Sequence, residues 1–411
     1  LDALSSIHVG NGVLLENSIA LMQKAIPDSE FSILSMDKKT NEIIYNDVNY
    51  TMFGVFWRGK GKVKKVLWIV LHVLFVFIQI VNQYTFKIDP VKLSFNNYQR
   101  TAFRKIKESD VCISIIGEAI NDNFYQALYF WLFKYWITMR LGKKFILLPQ
   151  SIGPLNNRIN KFFVYHFLKK ADLLVARDEK SFEKLKELGF KQKQIAYSID
   201  VGIMQTAEAA SRYPVNAYFN EHKERKVIGL TLSKFPSEIK VDVDYLSIII
   251  NGIRKVVNPD DFNILIMPSN YILDGESNDY KLCKKAKHLL SQDYNVEILP
   301  NRVFFPKEYT TLLSQLYFFI STRMHVTILA ASQYIPTLAV SSQHKITGFM
   351  RNIGQEELAL QLDEIDRIAD KIEYVISNRD DISLSIKNNV IEQKKSLEEL
   401  VKRIQKVVNN D

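Results

Sequence analysis

Arg323 and His325 stand two positions apart in the stretch Ser321-Thr322-Arg323-Met324-His325, directly after the apolar run 316–320. Such a run reads as a buried strand, and residues 326–334 read as the helix that follows it. The guanidinium and the imidazole therefore fall where strand gives way to helix. A helix start carries unpaired N–H groups and a partial positive charge, so an Arg and a His added there make a site for an anion, phosphate above all. Lys345 follows one further strand-like run, 335–340, which puts it at the same edge of a parallel sheet.

In open parallel sheets ligands bind beyond the carboxyl ends of the strands, so the residues just after each run matter most. The first half of the chain offers Gly10-Asn11-Gly12, Gly117-Glu118, Gln150-Ser151-Ile152-Gly153-Pro154, Arg177 and Asp200. The second half offers Thr231-Leu232-Ser233, Pro268-Ser269-Asn270, Arg323 with His325, and the stretch from Ser341 to Lys345. Arg177 repeats the strand-to-helix placement of Arg323, and Asp178 and Glu179 beside it also make it a candidate for an ordinary ion pair. Gly10-Asn11-Gly12 lacks the third glycine of a dinucleotide fingerprint and has no P-loop lysine.

The elements that must position these groups alternate. Strand-like runs at 31–34, 111–116, 145–148, 173–176 and 195–197 are separated by longer helical patterns, and the alternation resumes at 227–232, 263–267, 296–299, 317–320 and 337–340. This pattern predicts α/β architecture: two Rossmann-like, doubly wound domains facing a cleft, with helices at the C-terminus. The expected boundaries are an N-terminal domain at 1–205, a polar linker at 206–225, a C-terminal domain at 226–362 and C-terminal helices at 363–411.

With 411 residues and 47% hydrophobic content the chain can bury two substantial cores. A net charge of +9 points to anionic partners, either phosphorylated substrates or an acidic membrane surface. Zinc-finger spacing, an aromatic RNA-binding signature and a helix-turn-helix pattern are all missing from the sequence, so nucleic acid is not an expected partner. Cys112 and Cys283 sit in apolar segments and give no disulfide framework, which fits a reducing cytosol, and no signal peptide is visible. Two segments bear on membranes. The basic stretch 58–65 leads into an apolar run, giving a candidate helix at 63–81, and 124–140 is rich in aromatics. Each reads either as an interfacial helix with a basic collar or as a core helix, and the first reading places the protein peripherally on the inner face of the cytoplasmic membrane.

Taken in order, Leu148-Pro149-Gln150-Ser151-Ile152-Gly153-Pro154, Ala176-Arg177-Asp178-Glu179-Lys180-Ser181, Ser321-Thr322-Arg323-Met324-His325 and Lys345-Ile346-Thr347-Gly348 resemble the polysaccharide pyruvyl transferases. The resemblance implies a GT-B-like pair of domains and an enzyme that moves pyruvate from phosphoenolpyruvate onto two hydroxyls of a sugar, as a cyclic ketal. The acceptor would be a surface polysaccharide or its lipid-linked oligosaccharide precursor, as in capsule or exopolysaccharide assembly. By the same resemblance Arg177, Arg323, Met324, His325 and Lys345 bind the donor, with His325 as the candidate acid. Asn11, Glu118, Gln150, Ser151 and Asp200 are the expected acceptor or cleft residues. Glu118 stands where many members carry glycine, so it either reshapes the acceptor pocket or has a catalytic role of its own. No cofactor and no metal is expected beyond phosphoenolpyruvate as co-substrate.

Two other readings compete. A GT-B glycosyltransferase using a nucleotide sugar would grip the ribose with a carboxylate in the second domain, for which no residue stands out; Glu357 is one of many acids after Lys345. A non-catalytic, membrane-associated glycan-binding protein is the other.

Overall fold

Apolar runs that alternate with helices fold as parallel strands because a parallel pair needs a long crossover, and the helix supplies it. The computed structural model describes residues 1–53, 62–234, 244–272, 275–341 and 344–409, without the side chains of 62–65, 124–126 and 344. The basic stretch 58–65 therefore lies outside the described residues, as backbone or as side chain.

The chain forms two compact units. The first comprises Leu1–Ser5, Ser18–Ile199 and Glu398–Asp411, and the second Ser6–Asn17 and Asp200–Leu397. In chain order the elements up to the boundary are α1 (Val9–Ala25), β1 (Ile33–Ser35), α2 (Lys38–Asn41), β2 (Val48–Tyr50), α3 (Lys62–Tyr84), α4 (Asn97–Glu108) and β3 (Val111–Ser114). Then follow α5 (Tyr125–Arg140), β4 (Lys144–Gln150), α6 (Arg158–Leu168), β5 (Leu173–Ala176), α7 (Glu179–Glu187) and β6 (Ile195–Tyr197).

In the first unit β3-β4-β5-β6 form one parallel sheet and β1-β2 another. Residues 1–4 stand between them: Ala3 pairs in parallel with Ser35 of β1, and the Leu1 nitrogen donates to the Ile113 carbonyl of β3. Helix starts are set by side-chain caps, Asn96 accepting from the Gln99 N–H, Asn157 from Ile159 and Asn160, and Asp178 from Ser181. The α5 helix is a core helix. Leu128, Leu132, Phe133, Tyr135, Trp136 and Ile137 are all buried, and Lys134 is paired inside the core with Asp2. This corrects the expectation of a membrane-contacting helix at 124–140: the aromatic residues fill the space above the sheet, and the lysine that suggested a surface position is neutralised by an aspartate far away in sequence.

The second unit continues with β7 (Lys226–Thr231), α8 (Tyr245–Val256), β8 (Phe262–Ile266), α9 (Asn278–Leu290), β9 (Val296–Ile298), α10 (Pro306–Leu313) and β10 (Phe318–Ser321). After these come α11 (Met324–Ser332), β11 (Thr337–Ser341), α12 (His344–Asn352), β12 (Ala359–Gln361), α13 (Ile368–Ser377) and α14 (Arg379–Asn409). Its six strands run parallel in the order β12-β11-β10-β7-β8-β9. The winding reverses between β7 and β10, and the crevice at such a reversal is where this architecture takes its ligand.

The expected linker at 206–225 is instead part of the second unit. Val215 and Phe219 are buried in its core, the Val215 N–H donates to Gln315 Oε1 at 3.0 Å, and the Glu208 N–H donates to Thr311 Oγ1 at 2.8 Å. The units divide at 199/200 rather than at 205, and α14 belongs to the second unit at its start and to the first at its end. Two strands, β2 and β12, were not expected; both are three-residue strands at sheet edges.

Candidate functional site

Arg323 is placed by the junction of β10 and α11. It is the residue before the first turn of α11 and contributes no side-chain cap, unlike Asp244 and Ser277 at α8 and α9. The junction is pinned on both sides: Ser321 Oγ accepts the Arg323 N–H at 3.1 Å, and Thr327 Oγ1 donates to the Arg323 carbonyl at 2.9 Å. Its guanidinium pairs with Asp279 in the first turn of α9, and the other oxygen of Asp279 accepts the Lys234 N–H at 3.0 Å. Asp279 therefore aims the arginine and ties it to the loop after β7. Across the reversal point, the Thr322 N–H donates to Thr231 at 3.2 Å, and the hydroxyls of Ser233 and Thr322 lie 3.0 Å apart.

A second helix start reaches the same place. Residues 6–9 run beside the loop after β8, with an antiparallel bridge between His8 and Asn270 and a bond from the Val9 N–H to Ser269 at 3.0 Å. The helix α1 then begins against His325. A Cβ built on Gly10 would lie 2.6 Å from His325 Cβ and 2.8 Å from its Cγ, so only glycine allows this approach. The weak phosphate-loop pattern Gly10-Asn11-Gly12 is thus a helix start packed onto the Arg-x-His element, with Asn11 in its first turn.

His8 joins Arg323 and His325. Burial, the Arg323 charge and His325 together push its imidazole pKa down to about 3, so it is neutral at pH 7. Its Nδ1, the Arg323 Nε and the Ser269 hydroxyl are buried polar atoms with no hydrogen-bond partner among the described residues. Three such atoms in one locality call for a ligand or water. Lys345 lies in the first turn of α12, after β11, the neighbour of β10 in the sheet. The arrangement offers fixed cations and N–H groups to a small dianion, beside the neutral imidazole of His8 and the imidazole of His325.

The other expected residues gather in the first unit, at the ends of β3, β4 and β5. Arg177 is 4% exposed and its Nε donates to Ser151 Oγ at 2.9 Å, while that hydroxyl donates to Asp178 at 2.9 Å. Gln150 is buried and accepts the Ala119 N–H at 3.0 Å; the Ser151 N–H donates to Gly117 at 3.0 Å. Glu118 is half-buried and accepts from Asn121 Nδ2 at 3.2 Å. The Gln-Ser-Ile-Gly-Pro loop is thereby zipped to the loop carrying Glu118. The expected donor set is divided, with Arg177 in the first unit and Arg323, Met324, His325 and Lys345 in the second. Asp200 is buried, and its carboxylate caps the short turn Val201–Met204 by accepting the Gly202 N–H at 2.8 Å. His8 and Asp279 were missed. Neither has a local signal, because each reaches the site from another element, although the glycines beside His8 pointed to its segment.

Solved structures share the fold. Alr3699/HepE from Anabaena, in complex with UDP and glucose, superimposes with a TM-score of 0.57 at 12% identity over 100% of both chains. The UDP-GlcNAc 2-epimerase of Neisseria meningitidis gives 0.54 at 12% identity, covering 99% of this chain and 100% of that one. At these identities the likeness shows the fold, α/β of the GT-B type, and nothing finer. The amylovoran biosynthesis protein AmsJ of Erwinia amylovora is 22% identical over 312 residues, 74% of each chain. A sequence model described as polysaccharide pyruvyl transferase matches residues 8–344, from His8 to the start of α12, and the chain belongs to that family, transferases of polysaccharide biosynthesis.

Proposed function

We propose that the protein transfers pyruvate from phosphoenolpyruvate to two hydroxyls of a sugar, as a cyclic ketal, in a surface polysaccharide or its lipid-linked precursor. The observation that carries this reading is the meeting of Arg323, His325 and neutral His8 at two helix starts beside the winding reversal, within a chain of this family. Phosphoenolpyruvate bears its phosphate and carboxylate on one carbon. Arg323, with its planar fork, and Lys345, a point charge, share these two anions, and the Met324 N–H at the α11 start adds to the phosphate site.

His325 delivers a proton to C3 of the enol, which leaves C2 cationic. One sugar hydroxyl attacks C2, and its proton returns to the imidazole. The C2–O bond to phosphate breaks, the second hydroxyl closes the ring on C2, and its proton leaves on the phosphate. A positioned acid of this kind contributes about 10²- to 10⁴-fold. His8, kept neutral, avoids a second fixed charge beside the proton donor. Arg177, buried and bonded to Ser151, acts as a positioning residue for the loop that faces Glu118, and the acceptor is assigned to that side.

Calorimetric titration with phosphoenolpyruvate tests this, with UDP as the control ligand. Wild type should bind phosphoenolpyruvate and not UDP, Arg323→Ala should lose binding by at least tenfold, and Arg177→Met should keep it. Binding of UDP without phosphoenolpyruvate would overturn the reading in favour of a nucleotide-sugar glycosyltransferase.

A further inference from the structure

Helix α3 is built inside out. Its polar members face the protein: His72, Gln79 and Asn82 are buried, and Asn82 is tied to Ile88 by two hydrogen bonds, of 2.7 and 2.9 Å. Its apolar members face out, with Val66, Leu67, Val70, Val73, Leu74 and Phe77 each between 47% and 62% exposed. The stretch Val66–Tyr84 is long and apolar enough to cross a membrane by length and composition. Its inner face, however, is held to the first unit by the packing of Phe75 and by the bonds of Gln79 to Pro90 and Asn82 to Ile88, so the helix is suited to lie along a bilayer rather than through it. Helix α6 exposes Ile159 and Phe162 as well. An apolar surface of this extent is rare on a soluble monomer.

Charge sits at its margin. Where α3, α5 and α6 meet there is a cavity of about 220 Å³, walled by Ile80, Tyr84, Trp136 and Phe167 and rimmed by Arg140, Lys169 and Lys170. That volume is below the usual range for drug-sized ligands, about 300–1,000 Å³, and sufficient for a phosphate group. The Arg140 guanidinium lies 4.6 Å from the Tyr84 ring centre and 5.5 Å from that of Trp136. Among the described residues no carboxylate pairs with Arg140, Lys169 or Lys170. In sequence, Arg58, Lys60, Lys62, Lys64 and Lys65 precede the apolar run. The occupant of this face must be apolar and negatively charged. A second copy of the chain fails on charge, because a two-fold contact through the same patch would bring these cations against themselves.

We infer that this face binds an anionic lipid bilayer. Helix α3 lies in the plane of the interface with its apolar side among the acyl chains, and Arg140, Lys169 and Lys170 take a lipid headgroup phosphate into the cavity. Aromatic rings beside the cations suit the headgroup level.

Flotation of the full chain with vesicles tests the inference without any donor or acceptor, so its outcome is separate from that of the reaction proposed above. Vesicles of phosphatidylcholine alone are compared with vesicles containing 30% phosphatidylglycerol, about the anionic content that gives a useful surface potential. Wild type should float with the anionic vesicles, and 0.5 M salt, roughly a threefold rise over physiological strength, should weaken this. Leu74→Ser with Phe77→Ser should lower partitioning at least tenfold, and Arg140→Ala, Lys169→Ala and Lys170→Ala should each lower the anionic preference about fivefold. Val70→Ser with Val73→Ser repeats the apolar test, and thermal unfolding verifies that each variant is folded. Failure of folded wild type to float would overturn the inference. So would binding that none of the variants alters, or a dimer in sedimentation that Leu74→Ser with Phe77→Ser dissolves.

Discussion

Substituting His8 by Gln should flatten the acid limb of stability. The imidazole of His8 is pushed from the ordinary 6.5 down to about 3 by burial and by Arg323 and His325. Below pH 6.5 the unfolded chain binds a proton that the folded chain refuses, so stability falls as pH falls, and the loss continues down to the folded pKa. At pH 5 the unfolded side chain lies about 1.5 pH units below its midpoint, which at 1.36 kcal/mol per unit is about 2 kcal/mol. This magnitude does not depend on the depth of the shift, provided the folded pKa stays well below 5. The assay is urea unfolding at pH 8 and pH 5 for wild type and His8→Gln. Wild type should lose about 2 kcal/mol more than the variant between the two pH values. Phosphoenolpyruvate, bound as proposed, brings negative charge to the imidazole and should shrink that difference at pH 5. Equal pH sensitivity in the two proteins, or a His8 ring resonance titrating near 6.5, would refute the reasoning.

Gly10→Ala should destabilise the protein by about 1–3 kcal/mol, the usual cost of forcing an extra methyl into a packed contact, because its Cβ would press on His325. Gly348→Ala in α12, where nothing lies within 4 Å of the added Cβ, should be neutral or slightly stabilising, and thermal unfolding compares the two. Lys134→Met should cost about 3–5 kcal/mol, since it strands the fully buried Asp2 carboxylate without its cation. Adding Asp2→Asn should recover most of that loss in denaturant unfolding, and failure to recover it would show that packing rather than charge dominates.

Much of the site was legible because its residues announce themselves locally. Arg323 and His325 sit beside an apolar run that forms β10 and a helical pattern that forms α11, and a strand-to-helix junction is where an α/β sheet presents its ligand groups. Ten strand-like runs became strands for the same reason, each being bounded by a change of period. What escaped depends on distant partners. His8 gains its meaning from Asn270 and Arg323, Asp279 from Arg323, and Lys134 from Asp2; nothing within a few residues of any of them encodes the pairing. Arg177 looked like Arg323 in sequence and differs from it in burial, because the Ser151 loop closes over it. The segment 206–225, though polar on average, is held by Val215 and Phe219.

The end of α14 sets the timetable on which the first unit can be completed. Arg403 donates to the carbonyls of Lys193 and Ile195 at the edge strand β6, and Lys144 donates to the Val407 carbonyl at 2.8 Å. Residues 398–411 belong to this unit, yet all of 200–397, the greater part of the other one, is synthesised before them. At about 5–20 residues per second, that interval lasts roughly 10–40 s. For that time the sheet edge at β6 and the N-terminal end of β4 wait for their last helix. A chain cut after residue 199 would wait permanently.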